Sequence, residues 1–119
     1  MDDARIWSFE ERLWTGGEDA YREQVDQEVV MVLPQPPYTY DSEAAIQAVS
    51  STPRWEKVEF SEQKVHRPQE GLIVIAYRAR ASKGDESYEA FCTSTLRRIE
   101  HEVWTVVQHQ QTIPLQTRV

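Results

Sequence analysis

Cysteine is almost missing from this sequence. Cys92 stands alone among 119 residues, so no intramolecular disulfide can form and nothing points to an oxidising compartment. Positive charge is also scarce, with 13 basic residues against 20 acidic ones and a net charge of −7. Nucleic-acid partners are thereby excluded, because phosphate binding needs a basic stripe. The longest basic cluster, Arg97-Arg98, reads as a strand end or turn. No apolar run approaches the roughly 20 residues of a membrane span. The opening Met1-Asp2-Asp3-Ala4-Arg5 lacks the basic start and apolar core of a signal peptide, so no membrane partner and a cytoplasmic location are expected. His66, His101 and His109 share no ligand spacing, and neither a metal nor a cofactor is expected.

What is present suits one folded α+β domain over residues 1–119, large enough to bury a core without staples. Hydrophobic residues make up 39% and aromatic ones 10%, unlike a disordered chain. Ile6, Phe9 and Leu13 recur at helical spacing, with Trp7 and Trp14 a heptad apart, and predict an amphipathic helix over 3–15. Asp2 and Asp3 suit its N-terminal end, and Gly16-Gly17 a left-handed stop at the other. A second short helix is expected over about 18–25, then a strand over 28–33 ending at Pro34. The proline-rich run 34–40 fits neither a helix nor an internal strand. Asp41 or Ser42 can cap a third helix running to Val49. The remainder reads as strands over 55–65, 72–81, 87–98 and 103–112, joined by short turns at 68–71 and 83–85. A helix pair followed by such strands implies an antiparallel meander. Its longest strands should curl around the first helix, leaving a hollow at the open end.

The order of elements resembles a known family. Leu13-Trp14-Thr15-Gly16-Gly17, Tyr21, the valine-rich strand ending at Pro34, Ala44-Ala45-Ile46 and Pro53-Arg54-Trp55 follow one another as they do there. Tyr77-Arg78-Ala79, Cys92-Thr93-Ser94 and the run from Trp104 to Thr112 complete the set. Together they are similar to the nuclear-transport-factor-two-like superfamily, in a small uncharacterised branch near the steroid isomerases and SnoaL-like polyketide cyclases. The resemblance implies a cystatin-like cone, in which a strongly curved, mostly antiparallel sheet surrounds a long helix. It further implies a pocket at the wide end and a homodimer through the outer sheet face. It does not choose among isomerase, dehydratase, cyclase and pure binding roles. Steroid-isomerase chemistry itself does not transfer. That family's tyrosine on the first helix is replaced here by Trp7, Phe9 and Trp14, the stretch Val29 to Leu33 carries no acid, and the fourth strand has no Asp.

Candidate ligand contacts follow from the alternation of the strands. In the last strand Trp104, Val106, Gln108 and Gln110 share one face, and Thr105, Val107, His109 and Gln111 the other. Trp104 with Val106 makes the better core pair, which places Gln108 and Gln110 inside, either orienting a ligand or bonded to backbone and water. A one-residue bulge would exchange the faces and bring His109 inward as a weak candidate general base, so both faces stay open. Ala90, Cys92, Ser94 and Leu96 form a row of small inward side chains with Ser94 its polar member. The row leaves space for a pocket floor or for the tryptophans of the first helix. Cys92 has no neighbouring base or cation to activate it. Tyr77 shares a face with Ile73, Ile75 and Ala79, so its hydroxyl needs a partner: a ligand, Tyr21, Gln108 or Gln110. Trp14, Tyr21 and Trp55 should meet at the mouth, with Tyr38 and Tyr40 on the proline loop beside them. Two functions remain, a pocket for a small, partly apolar molecule with or without acid–base chemistry, and a non-catalytic dimerising domain whose pocket its own side chains fill.

Overall fold

The computed structural model describes residues 1–115. Three helices come first or nearly so: α1 (Asp3–Thr15), α2 (Glu18–Gln24) and α3 (Ser42–Ser50). Six strands, β1 (Val25–Val32), β2 (Thr39–Tyr40), β3 (Lys57–Gln69), β4 (Leu72–Lys83), β5 (Glu86–Glu100) and β6 (Val103–Thr112), form one sheet in the order β2-β1-β6-β5-β4-β3. Every pairing is antiparallel except β1 with β6. The sheet is curled but not closed, and α1 lies in its concave side.

The helices begin where sequence chemistry says they should. Asp2 accepts a hydrogen bond from the Arg5 N–H, and Asp41 one from the Ala44 N–H, each satisfying a donor that the first helical turn leaves free. The end of α1 differs from expectation. Gly16 has φ −80° and is extended, not left-handed. Glycine is required there for space: a Cβ would lie 2.6 Å from both the Arg12 carbonyl oxygen and the Ala20 Cβ.

The concave face is built from alternate residues of the long strands. Ile73, Ile75, Tyr77, Ala79 and Ala81 of β4 point inward, as do Ala90, Cys92, Ser94 and Leu96 of β5, and all are buried. Ile6, Leu13 and Trp14 of α1 fill the hollow from the other side. Between α1 and the β3–β4 side of the sheet, Trp7 and Phe60 each pack edge-on against Tyr77, at 5.5 and 4.6 Å between ring centres.

β6 carries the irregularity that decides what lines the cone. Leu96 pairs with Val106 but Thr95 with Gln108, so Val107 is an extra residue in the ladder. Val106 is inward before the bulge; His109 is inward after it, 3% exposed. Gln108 and Gln110 consequently lie on the convex face, where they pair with Thr95 and Thr93. Their expected inward orientation is corrected by this one residue. β2 is a second departure: Thr39 and Tyr40 pair with Val32 and Met31 at the sheet edge, immediately after the prolines.

Candidate functional site

Beneath the mouth of the cone lies a carboxylate that the sequence reading passed over. Glu10 sits on α1 one turn after Ile6 and one turn before Trp14, on the buried stripe of that helix, and is fully buried. Its Oε2 accepts hydrogen bonds from the hydroxyls of Tyr77 and Ser94, each at 2.5 Å. Oε1 has no partner among the described residues. Among the described residues no cation stands by it apart from what His109 can become, Nδ1 of which lies 3.6 Å from Oε2. Burial therefore pushes Glu10 up to about 7, against the downward pull of the Ser94 and Tyr77 hydroxyls. Burial drives His109 the other way, down to about 4, with a backbone hydrogen bond to Thr93 partly opposing. Near pH 6 both groups are thus uncharged, and their 3.6 Å approach is not an ion pair.

The hydrogen bonds around this acid run in one direction. Tyr88 donates to Gln111 Oε1 at 2.8 Å, and the Gln111 amide lies 3.1 Å from His109 Nε2. With that amide donating, His109 carries its proton on Nδ1, which faces Ser94 Oγ at 2.7 Å, and Ser94 donates onward to Glu10. Trp14 closes the other branch, donating from Nε1 to the Tyr77 oxygen at 3.0 Å. Tyr77 and Ser94 are therefore partners of Glu10, not of Tyr21 or the glutamines of β6. Ser94, His109 and Glu10 do not form a hydrolytic triad, because the acid holds the serine instead of the far side of the imidazole and all three are buried. Cys92, beside them, is pushed up to about 12, first by burial and then by Glu10, which disfavours the thiolate that a nucleophile needs.

Above this network a cavity of about 180 Å³ opens between the end of α1, α3, the proline loop and the β4–β5 turn. Trp14, Tyr21 and Trp55 line it; Tyr77 and Ser94 lie below it, behind Trp14. Leu13, Met31 and Val49 give it an apolar floor. Trp55 stacks on Tyr88 at 5.6 Å with an interplanar angle of 11°, making a flat aromatic wall. Gln111 brings the only contact between the cavity lining and the buried histidine that the hydrogen bonds of the described residues record. Tyr40 also faces the cavity, its hydroxyl bonded to the Gln35 and Pro36 carbonyls, while Tyr38 is exposed outside it. Arg54 reaches across from the α3–β3 connection and donates to the carbonyls of Leu13 and Gly16 at the end of α1. His66 and His101 are exposed, and no cluster of metal-ligating side chains occurs among the described residues.

No family model and no curated protein matches the sequence. Solved structures do match the fold. A protein from Parabacteroides distasonis, described provisionally as a ketosteroid isomerase, superposes with a TM-score of 0.78 at 18% identity, covering 92% of this chain and 85% of its own. An NTF2-like protein from Cytophaga hutchinsonii gives 0.75 at 14% identity over 96% of this chain and 100% of its own. An NTF2-like protein of unknown function in nutrient uptake, from Rhodospirillum rubrum, gives 0.75 at 17% identity with the same two coverages. With its curled six-stranded sheet, its helix in the concave side and these neighbours, the chain has the nuclear-transport-factor-two-like fold.

Proposed function

We propose that the cavity at the mouth binds a small, partly apolar molecule. The observation that carries this is the cavity of about 180 Å³ bounded by Trp14, Tyr21, Trp55 and Tyr88, with the Gln111 amide in its wall. An apolar cavity of about 150 Å³ takes up benzene, so the volume suits an apolar body of about seven non-hydrogen atoms. Tyr88 and Gln111 supply polar recognition, and the chain of hydrogen bonds behind them fixes their orientation. The reading is binding without turnover: Glu10 and His109 are the groups with acid–base character, and both lie under Trp14 and Gln111, out of contact with a ligand in the cavity. Native mass spectrometry and thermal-shift screening against a panel of small metabolites test it. A retained mass or a saturable rise in melting temperature is the expected result; an empty protein that no compound stabilises overturns it.

The proposal extends to a homodimer through the convex sheet face. Val30 (57% exposed), Val32 (42%) and Phe91 (39%) stand there around the Gln108 and Gln110 amides, an apolar patch with polar groups to pair. Light scattering after size exclusion is expected to give twice the chain mass of 13.9 kDa, and a monomer at micromolar concentration overturns this part.

A further inference from the structure

Arg54 differs from every other arginine among the described residues. Each of the other eight has a carboxylate partner within ion-pair distance. Arg54 has none, in a chain with 20 acidic residues to choose from. Its Nε and Nη2 hold the Gly16 and Leu13 carbonyls at 2.8 and 2.7 Å, where the end of the helix dipole favours a cation. Its guanidinium carbon lies over the Tyr21 ring at 5.4 Å. These contacts account for its fixed position. They leave Nη1 without a hydrogen bond among the described residues, on a half-buried side chain that lines the cavity.

A second cation borders the same cavity. Lys83 lies over the Trp55 ring at 5.1 Å and donates to the Pro53 carbonyl. Its carboxylate neighbour, Glu86, is 3.9 Å away and 66% exposed, a loose pair with the acid turned toward water. Glu86 is also the only acid among the described residues that line the cavity, so two positive groups face one negative group there while the whole chain carries −7. Local charge at the mouth is opposite in sign to the molecule.

From this arrangement we infer that the ligand is a small organic anion, a monocarboxylate with an apolar body of about six to eight carbons. The body lies against Leu13, Met31 and the Trp55–Tyr88 wall, and the carboxylate meets Arg54 Nη1 and the Lys83 ammonium. A planar guanidinium held by two main-chain carbonyls is already oriented, so the anion orders one partner and not two. The inference rests on the cavity being a binding site and adds the sign and class of what it binds.

Benzoate, phenylacetate and hexanoate, each against its own primary amide, separate the two ideas by calorimetry and saturation-transfer NMR at about pH 7, where the acids are ionised. The acids are expected to bind about tenfold tighter than the amides, the effect of one charge-assisted hydrogen bond. Lys83→Gln should weaken the acids about threefold and leave the amides unchanged. Arg54→Gln should remove the preference for the acid, and Lys83→Gln decides alone if that variant does not fold. Equal binding of acids and amides overturns the anion assignment while leaving the cavity as a site. An acid preference that survives both substitutions puts the carboxylate elsewhere and overturns it too. No saturation by any of the six compounds up to about 10 mM ends both the assignment and the binding proposal.

Discussion

Replacing Glu10 by Gln should expose a pH dependence of stability that the native protein conceals. Glu10 has an ordinary value of 4.5 and is raised to about 7 by burial, so between those values the folded chain holds a proton that the unfolded chain has lost. Its contribution is complete below pH 4.5 and disappears as the pH rises through about 7, a loss of roughly 3 kcal/mol. His109 behaves oppositely. Its ordinary value of 6.5 falls to about 4, so its contribution is complete above pH 6.5 and is lost as the pH falls through about 4, again roughly 3 kcal/mol. Across pH 4.5 to 6.5 the two slopes have opposite sign and similar size, and they offset each other in the native protein. Glu10→Gln keeps the shape and an amide for the Tyr77 and Ser94 hydroxyls while removing one slope. Urea unfolding followed by tryptophan fluorescence, at intervals from pH 4 to 8, should show the variant gaining roughly 3 kcal/mol relative to the native protein as the pH rises. That is on the order of 2 M in urea midpoint for a domain of this size. A difference between the two proteins that stays constant with pH would refute a buried, partner-poor acid at position 10.

Three further outcomes are expected. Tyr77→Phe removes a donor to Glu10 and orphans the Trp14 N–H, costing about 1–3 kcal/mol and raising Glu10 further, which carboxyl carbon NMR would detect. Gly16→Ala places a methyl group against the Arg12 carbonyl and the Ala20 side chain and should cost about 1–3 kcal/mol in thermal or urea unfolding; a neutral result would mean that the α1–α2 corner yields easily. Cys92, buried and raised to about 12, should resist alkylating reagents at pH 8 in the native protein and react fully in urea, so labelling of the folded chain would contradict its placement.

Much of the architecture was readable because its periodicity is strong. The stripe of Ile6, Leu13 and Trp14 defines α1 to the residue, and alternation in β4 and β5 places Tyr77 and Ser94 inward. β2 was hidden, since a two-residue pairing after three prolines leaves no periodic mark. The inner face of β6 was undecidable from alternation, because the extra residue Val107 inverts the phase and nothing in its chemistry distinguishes it from a regular strand valine. Glu10 was legible and overlooked: four residues after Ile6 and four before Trp14, it lies on the apolar stripe, and an acid in that position is either mispatterned or buried for a reason. Gln111 and Tyr88 needed the bulge and the curl of the sheet to meet. Arg54 entered only within the Pro53-Arg54-Trp55 run, since its lack of a carboxylate partner is a property of three dimensions.

The parallel pairing of β1 with β6 also dictates an order of assembly. β6 sits between β1 and β5, so the first strand joins the sheet only through the sixth. Asp26 of β1, for instance, accepts a hydrogen bond from Thr105 of β6, 79 residues further along. While a ribosome is still delivering β3 to β5, β1 has only the short β2 as a strand partner, and Val29 and Met31 lack the covering that the finished cone gives them. The β3–β4–β5 meander pairs neighbours in sequence and is expected to form first; capture of the N-terminal third needs the last strand and is expected to be the slower, more aggregation-exposed step.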